Sequence, residues 1–219
     1  MKIRNGVLAV FALLFATQMF AQERTKLDIP LVYSYFRFNP EISQAHSRSF
    51  NGGGGGVEFN ISPMFSVKAE FMGYGSTHFT TTFTAPVKVN PLATTSTIPT
   101  GTYDSEGNMF TYMFGPMVKF PVSDRITPFG EILFGGSNTN FYSNLTRAIV
   151  NNHGTLSVAP TQHPFTMGIG GGFDIAFHRH FALRPVEIDY VFTRYTNPIT
   201  GTHNQNHFRY IGGIVFRAW

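Results

Sequence analysis

The chain has 219 residues, a formal charge of +4, no cysteine, 16% aromatic residues and only 13% charged ones. The missing thiols exclude disulfides, thiolate chemistry and a lipid-modified N-terminal cysteine, and the lack of any basic run excludes nucleic-acid binding. A single long apolar run, at the start, excludes a bundle of membrane-crossing helices, whereas apolar side chains dispersed among small polar ones describe sheet with one greasy face.

In chain order the first element is a leader. Lys2 and Arg4 precede an apolar stretch from Val7 to Phe15, followed by Ala16-Thr17-Gln18-Met19-Phe20-Ala21. This is the three-part layout of a secretory signal peptide, so residues 1–21 are expected to be removed and residues 22–219 to form the mature domain. The apolar stretch is far shorter than the ~20 residues that span a bilayer, so a cleaved leader is expected rather than an anchor. Without Lys2 and Arg4, fourteen basic residues stand against twelve acidic ones.

Beyond the leader, apolar and small or polar residues alternate in segments suited to tilted membrane strands of ~9 to 11 residues. Strands are expected near 26–37, 51–61, 65–76, 109–120, 126–137, 164–177, 181–194 and 207–218, with no helical periodicity. Three connections are tight: Ser62-Pro63-Met64, Pro121 to Arg125, and His178-Arg179-His180. The other four, at 38–50, 77–108, 138–163 and 195–206, are long and rich in Thr, Asn, Ser, Pro and Gly. Strict alternation of long and short fits an all-β, eight-stranded antiparallel up-and-down transmembrane barrel with short periplasmic turns and long extracellular loops.

Strand charges are flanked by apolar neighbours, and successive side chains point to opposite faces. Glu58, Lys68, Glu70, Lys119, Glu131, Asp174, Glu187, Asp189, Arg209 and Arg217 are thus expected to face inward, with only Asp28 to offer in the first strand. A Lys or Arg turned to mid-bilayer lipid costs roughly 2 to 4 kcal/mol, which drives the sorting. An eight-stranded barrel is just wide enough for its own side chains, so a filled lumen held by ion pairs is expected rather than a gated path.

Aromatic residues at Tyr33, Tyr35, Phe36, Phe38, Phe59, Phe65, Phe110, Tyr112, Phe120, Phe177, Phe181, Phe192, Tyr195, Phe208 and Phe216 suit girdles at the two membrane interfaces. Strand glycines, notably Gly52 to Gly56, Gly168, Gly170 to Gly172, Gly212 and Gly213, suit close packing in a small barrel. The five-glycine run lacks the Lys-Ser/Thr of a phosphate-binding loop. His178 with His180, and His203 with His207, fall short of a metal set for want of a third ligand. Asn144-Leu145-Thr146 is a chance glycosylation match.

The closing segment Arg209-Tyr210-Ile211-Gly212-Gly213-Ile214-Val215-Phe216-Arg217-Ala218-Trp219 resembles the C-terminal assembly signal of outer-membrane barrels, with Tyr210, Ile214, Phe216 and Trp219 as its signal residues. Trp219 falls on the opposite parity from the other three, so either a bulge resets the phase or the end frays. The stretch from Leu183 to Arg194 is similar to the equivalent strand of single-domain barrels of the OmpA-like and OmpW-like class. That resemblance implies recognition by the barrel assembly machinery and residence in the bacterial outer membrane, with no cofactor and no particular activity. The expected role is a structural or surface-interaction component: a monomer that meets outer-membrane lipids and lipopolysaccharide, with loops open to an extracellular ligand. Two rival roles stay open, a lipid A acylase or deacylase and a narrow carrier of small hydrophobic molecules. The enzyme would need Ser76, His78 and Glu106, expected to meet only if a long loop folds over them, since Asn206-His207-Phe208 has no neighbouring serine in the required arrangement. A soluble lipocalin-type barrel would put charges outside and carry a Trp near its first strand, but the single Trp is Trp219.

Overall fold

Eight long strands close into one barrel in the computed structural model, which describes residues 26–40, 47–88, 97–152, 155, 159–197, 199, 201 and 204–218. In chain order the elements are β1 (Leu27–Phe38), β2 (Arg48–Asn60), β3 (Phe65–Phe83), the two-residue β4 (Val87–Lys88) and β5 (Thr97–Ile98), β6 (Gly101–Lys119), β7 (Ile126–Thr139), helix α1 (Phe141–Asn151), β8 (Phe165–His178), β9 (Phe181–Thr193) and β10 (Gln205–Ala218). Around the barrel the order is β1-β10-β9-β8-β7-β6-β3-β2, every pair antiparallel, with the first and last strands zipped together from Leu27↔Ala218 to Arg37↔Phe208. Closure leaves no sheet edge, which is what a sheet surrounded by hydrocarbon requires. No described helix is long and apolar enough to cross a membrane. The expected leader, the His203 imidazole and Trp219 lie outside the described residues.

Strand parity governs what faces where. In β6 every odd position from Tyr103 to Lys119 is buried, and nearly every even one is exposed. Phe71, Phe114, Phe177 and Tyr190 are among the large apolar side chains left on the outside, each more than half exposed. Three of the residues expected in the aromatic girdles depart from it: Phe36, Phe38 and Tyr195 face inward and are buried.

Two expectations about the long loops are corrected. The connection expected at 77–108 is largely strand, because β3 and β6 continue as a paired hairpin from Thr77↔Gly107 to Phe83↔Gly101. A bulge between Tyr74 and Thr77 inserts an extra residue, so the inward parity switches from Tyr74 to Phe79, Thr81 and Phe83. That broken phase hides the continuity of the strand from a reading based on alternation. The second correction is α1, within the expected 138–163 loop, where no helix was expected. Its Asn, Ser, Thr, Ile and Val content gives it weak intrinsic propensity. Yet Phe141, Leu145 and Ile149, spaced by four, form the stripe that docks it into the barrel mouth.

Five glycines in β2 let its backbone approach both neighbours. A Cβ at Gly54 would fall onto the carbonyl oxygen of Phe71, and one at Gly52 onto that of Gly73. The run therefore serves tight strand packing, without the helix or lysine of a phosphate loop.

Candidate functional site

The lumen divides into two layers. Its periplasmic half holds charges supplied by inward positions of all eight barrel strands. Lys119 donates to Asp28 and Glu58, both at 2.8 Å, and to the side-chain oxygen of Asn60 at 3.0 Å. Glu58 passes the chain on to Arg184 at 2.8 Å. The Arg184 guanidinium also holds both oxygens of Asp174, at 2.8 and 3.0 Å, and Glu187 at 2.9 Å. Its central carbon sits 4.4 Å over the Phe129 ring. Glu187 meets Lys68 at 2.8 Å, and Lys68 also faces Glu131 at 3.0 Å and Glu70 at 3.1 Å. Glu70 reaches Arg209 at 2.5 Å, whose Nε donates to Asp189 at 2.8 Å. One unbroken series of ion pairs thus crosses the barrel, and each of its members is at most 6% exposed. Buried charges need such partners, since an unpaired ion in a low-dielectric interior costs several kcal/mol.

Nine of the ten residues expected in this network are brought together. Arg217 is the exception: it is only half-buried at the periplasmic mouth, and its Nε finds no hydrogen-bond partner. Arg184, at the centre of the network, was not among the expected residues. Strict alternation would put it outward, on the face opposite Glu187. The register of β9 slips between Leu183 and Val186 against β8 and between Arg184 and Glu187 against β10, inserting one extra residue around Pro185 and turning Arg184 and Glu187 inward together. Pro185 was the readable signal, since proline inside a sheet is confined to edges and bulges. It brings no N–H to strand, and the Tyr210 hydroxyl donates to its carbonyl at 2.7 Å, so the bulge leaves nothing unsatisfied there.

The extracellular half is apolar and aromatic. Phe38, Phe50, Phe79 and Phe141 pack with ring centroids 4.4 to 5.9 Å apart, joined by Phe83, Ile98, Leu145 and Ile149. Between the halves lies a polar belt in which Thr166 donates to Ser137 at 3.0 Å, Ser137 pairs with Tyr195 at 2.7 Å, and Ser34 pairs with Tyr74 at 3.0 Å. Tyr142 of α1 accepts from Gln205, and Gln162 clamps two loops by bonding both the carbonyl and the N–H of Thr196.

The remaining candidates find other uses. His207 is buried, stacked on Phe38 at 4.8 Å, and both ring nitrogens are engaged: Nδ1 accepts from the Asn39 N–H at 3.1 Å and Nε2 meets Thr193 at 2.7 Å. His178 accepts from the His180 backbone at 3.3 Å. Among the described residues, Glu70, Glu131 and Glu187 form the one carboxylate group close enough to hold a metal ion, and the Lys68 ammonium already contacts all three. Thr146 of the glycosylation match is fully buried, and Asn144 donates to the Glu106 carbonyl. Ser76, His78 and Glu106 do meet on the outer surface of β3 and β6. The carboxylate sits between the other two, with Ser76 donating to it at 3.3 Å and the His78 ring 3.2 Å away. A serine nucleophile needs the imidazole as its immediate neighbour, so this order is not that of a relay.

No curated protein is matched by the chain. Several solved structures are similar to it in fold, two of them as follows. Neisserial surface protein A superposes with a TM-score of 0.57 at 8% identity, covering 88% of this chain and 97% of that one. The outer membrane protein OprG from Pseudomonas aeruginosa superposes with a TM-score of 0.52 at 9% identity, covering 87% and 94%. A sequence family described as the outer membrane protein beta-barrel domain matches residues 7–209. With lipid-facing aromatics outside, ion pairs inside and that match over nearly its whole length, the chain belongs to the outer membrane protein beta-barrel domain family, whose members reside in the outer membrane of Gram-negative bacteria.

Proposed function

We propose that the protein is a structural and surface-interaction component of the outer membrane, neither a channel nor an enzyme. The observation that carries this reading is the lumen. It is filled twice over, by the ion-pair series below and by the α1 aromatic plug above, and both layers are buried to within a few per cent. Water and ions have no continuous path through such a core, and an eight-stranded barrel has no spare width to create one. What remains for function is the surface. The β3–β6 hairpin projects past the last rung of β6 with β7, at Met109↔Thr139, and carries exposed Thr80, Asp104, Thr82 and Thr102 on its outer face. Exposed polar groups on a rigid scaffold suit an extracellular partner or the sugar and phosphate groups of lipopolysaccharide.

Planar-bilayer recordings test the first part: no steady conductance is expected, and large lasting channels would contradict it. The enzyme reading rests on the meeting of Ser76, His78 and Glu106 and is weakened by the order in which they meet. Lipid A acyl chains should be identical in cells with and without the protein. A carrier of small hydrophobic molecules would need an apolar route past Lys68 and Arg184, which the charged layer opposes.

A further inference from the structure

We propose that one side of the periplasmic edge is a binding site for anionic phospholipid headgroups, centred on Arg125, His178 and Arg179 with Lys26 at its far end. The short turns place these residues on neighbouring strand ends. Arg125 leads into β7 and its carbonyl accepts from Ala176 of β8. His178 ends β8, Arg179 forms the turn to β9, and the His180 carbonyl accepts from Arg217 of β10. Lys26 precedes β1, which pairs with β10. Five consecutive strand ends therefore carry Arg125, His178, Arg179 and Lys26, all exposed.

The opposite side is different. The β2–β3 turn offers only Ile61, Ser62, Pro63 and Met64, and the one exposed acid at this edge among the described residues, Asp124, sits beside Arg125 within the arc, where it offsets one of the three positive charges. Charge on the edge is thus both net positive and one-sided.

Just above the cationic arc lies an aromatic group on the lipid face. Phe177 stacks on Phe181 with centroids 6.1 Å apart, and Phe181 meets Phe216 edge-on at 5.0 Å. Phe177 is 64% exposed. Aromatic rings mark the level of the interface, so guanidinium groups directly beneath them stand at the depth of lipid phosphates. An arginine offers a planar fork that bonds two phosphate oxygens, and lysine can extend its head toward the same layer. The arrangement fits a lipid with acyl chains against Phe177 and Phe181 and a negatively charged head against Arg125 and Arg179. A soluble anion would use the cations but not the rings.

The test uses the full protein reconstituted in vesicles of phosphatidylethanolamine with phosphatidylglycerol as the minor lipid, followed by mild extraction and a count of the lipids that stay bound. A basic residue at an anionic lipid surface is worth about a fivefold preference. Phosphatidylglycerol should be enriched several-fold over the bulk ratio, and K26Q/R125Q/R179Q should return it to the bulk ratio. R37Q/R147Q/R194Q, which removes as many exposed cations from the extracellular end, should keep the enrichment. Unheated gel migration verifies that both variants fold, and R179Q alone should give a partial loss if the triple variant does not. No enrichment in the wild type, or equal loss in both triple variants, would overturn the proposal. So would complete displacement of the bound lipid by inorganic phosphate, which would show that a soluble anion suffices.

Discussion

Lys68 contacts Glu70, Glu131 and Glu187 together, at 2.8 to 3.1 Å, and its side chain is 2% exposed. Lys68→Met should therefore cost on the order of 3 to 5 kcal/mol, because it leaves the buried Glu131 without its cation while Glu70 and Glu187 keep Arg209 and Arg184. Adding Glu131→Gln should recover part of that loss, since among the described residues Lys68 is the one cation paired with Glu131. Urea unfolding in lipid vesicles measures both, and strictly additive effects would mean that the two side chains do not interact. Glycines give a second contrast. Gly54→Ala should impair folding because its Cβ would overlap the Phe71 carbonyl, whereas at Gly75 the nearest atom is 3.7 Å away and Ala should be tolerated. Most of the ionic layer was legible from residue identity alone, because an acid or base flanked by apolar neighbours has only one face to choose. Arg184 was not, since its direction depends on a one-residue slip at Pro185 that alternation cannot express.

Elements were legible where one period held. The turns at 62–64, 121–125 and 179–180 and the bounds of β1, β7, β8 and β9 fall within a residue or two of the expectation. The extracellular elements were not, for two physical reasons. The bulge after Tyr74 resets the phase of β3, and the threonines that follow have the composition of a loop but the branched side chains of a strand. Helix α1 is polar on its outer face and short, so its stability comes from docking rather than propensity. Leu145→Ala should accordingly cost about 2 to 5 kcal/mol. The loss belongs to the plug: hydrogen exchange should speed up across residues 141–151 while the amides of β7 and β8 keep their protection. Uniform loss of protection would show that the helix and barrel unfold as one unit.

At the scale of the whole molecule the two lumenal layers act independently as seals. Replacing residues 140–152 with a Gly-Ser linker should remove the aromatic plug and still give no bilayer conductance, because the ion-pair layer beneath remains closed. On the outside, Phe114→Arg should cost roughly 2 to 4 kcal/mol if that position lies near the bilayer midplane. The same arginine at an exposed hairpin position such as Thr82 should be nearly neutral, and unfolding in vesicles separates the two.

The lack of any cysteine allows single cysteines to be placed one at a time along β6 and spin-labelled in a folded, bilayer-inserted barrel. Collision with dissolved oxygen, which concentrates in lipid, should be high at Phe110, Tyr112 and Phe114 and low at Met109, Thr111, Met113 and Met117, a two-residue rhythm set by hydrocarbon outside and a packed lumen within. High oxygen contact at the odd positions, or no rhythm at all, would contradict it.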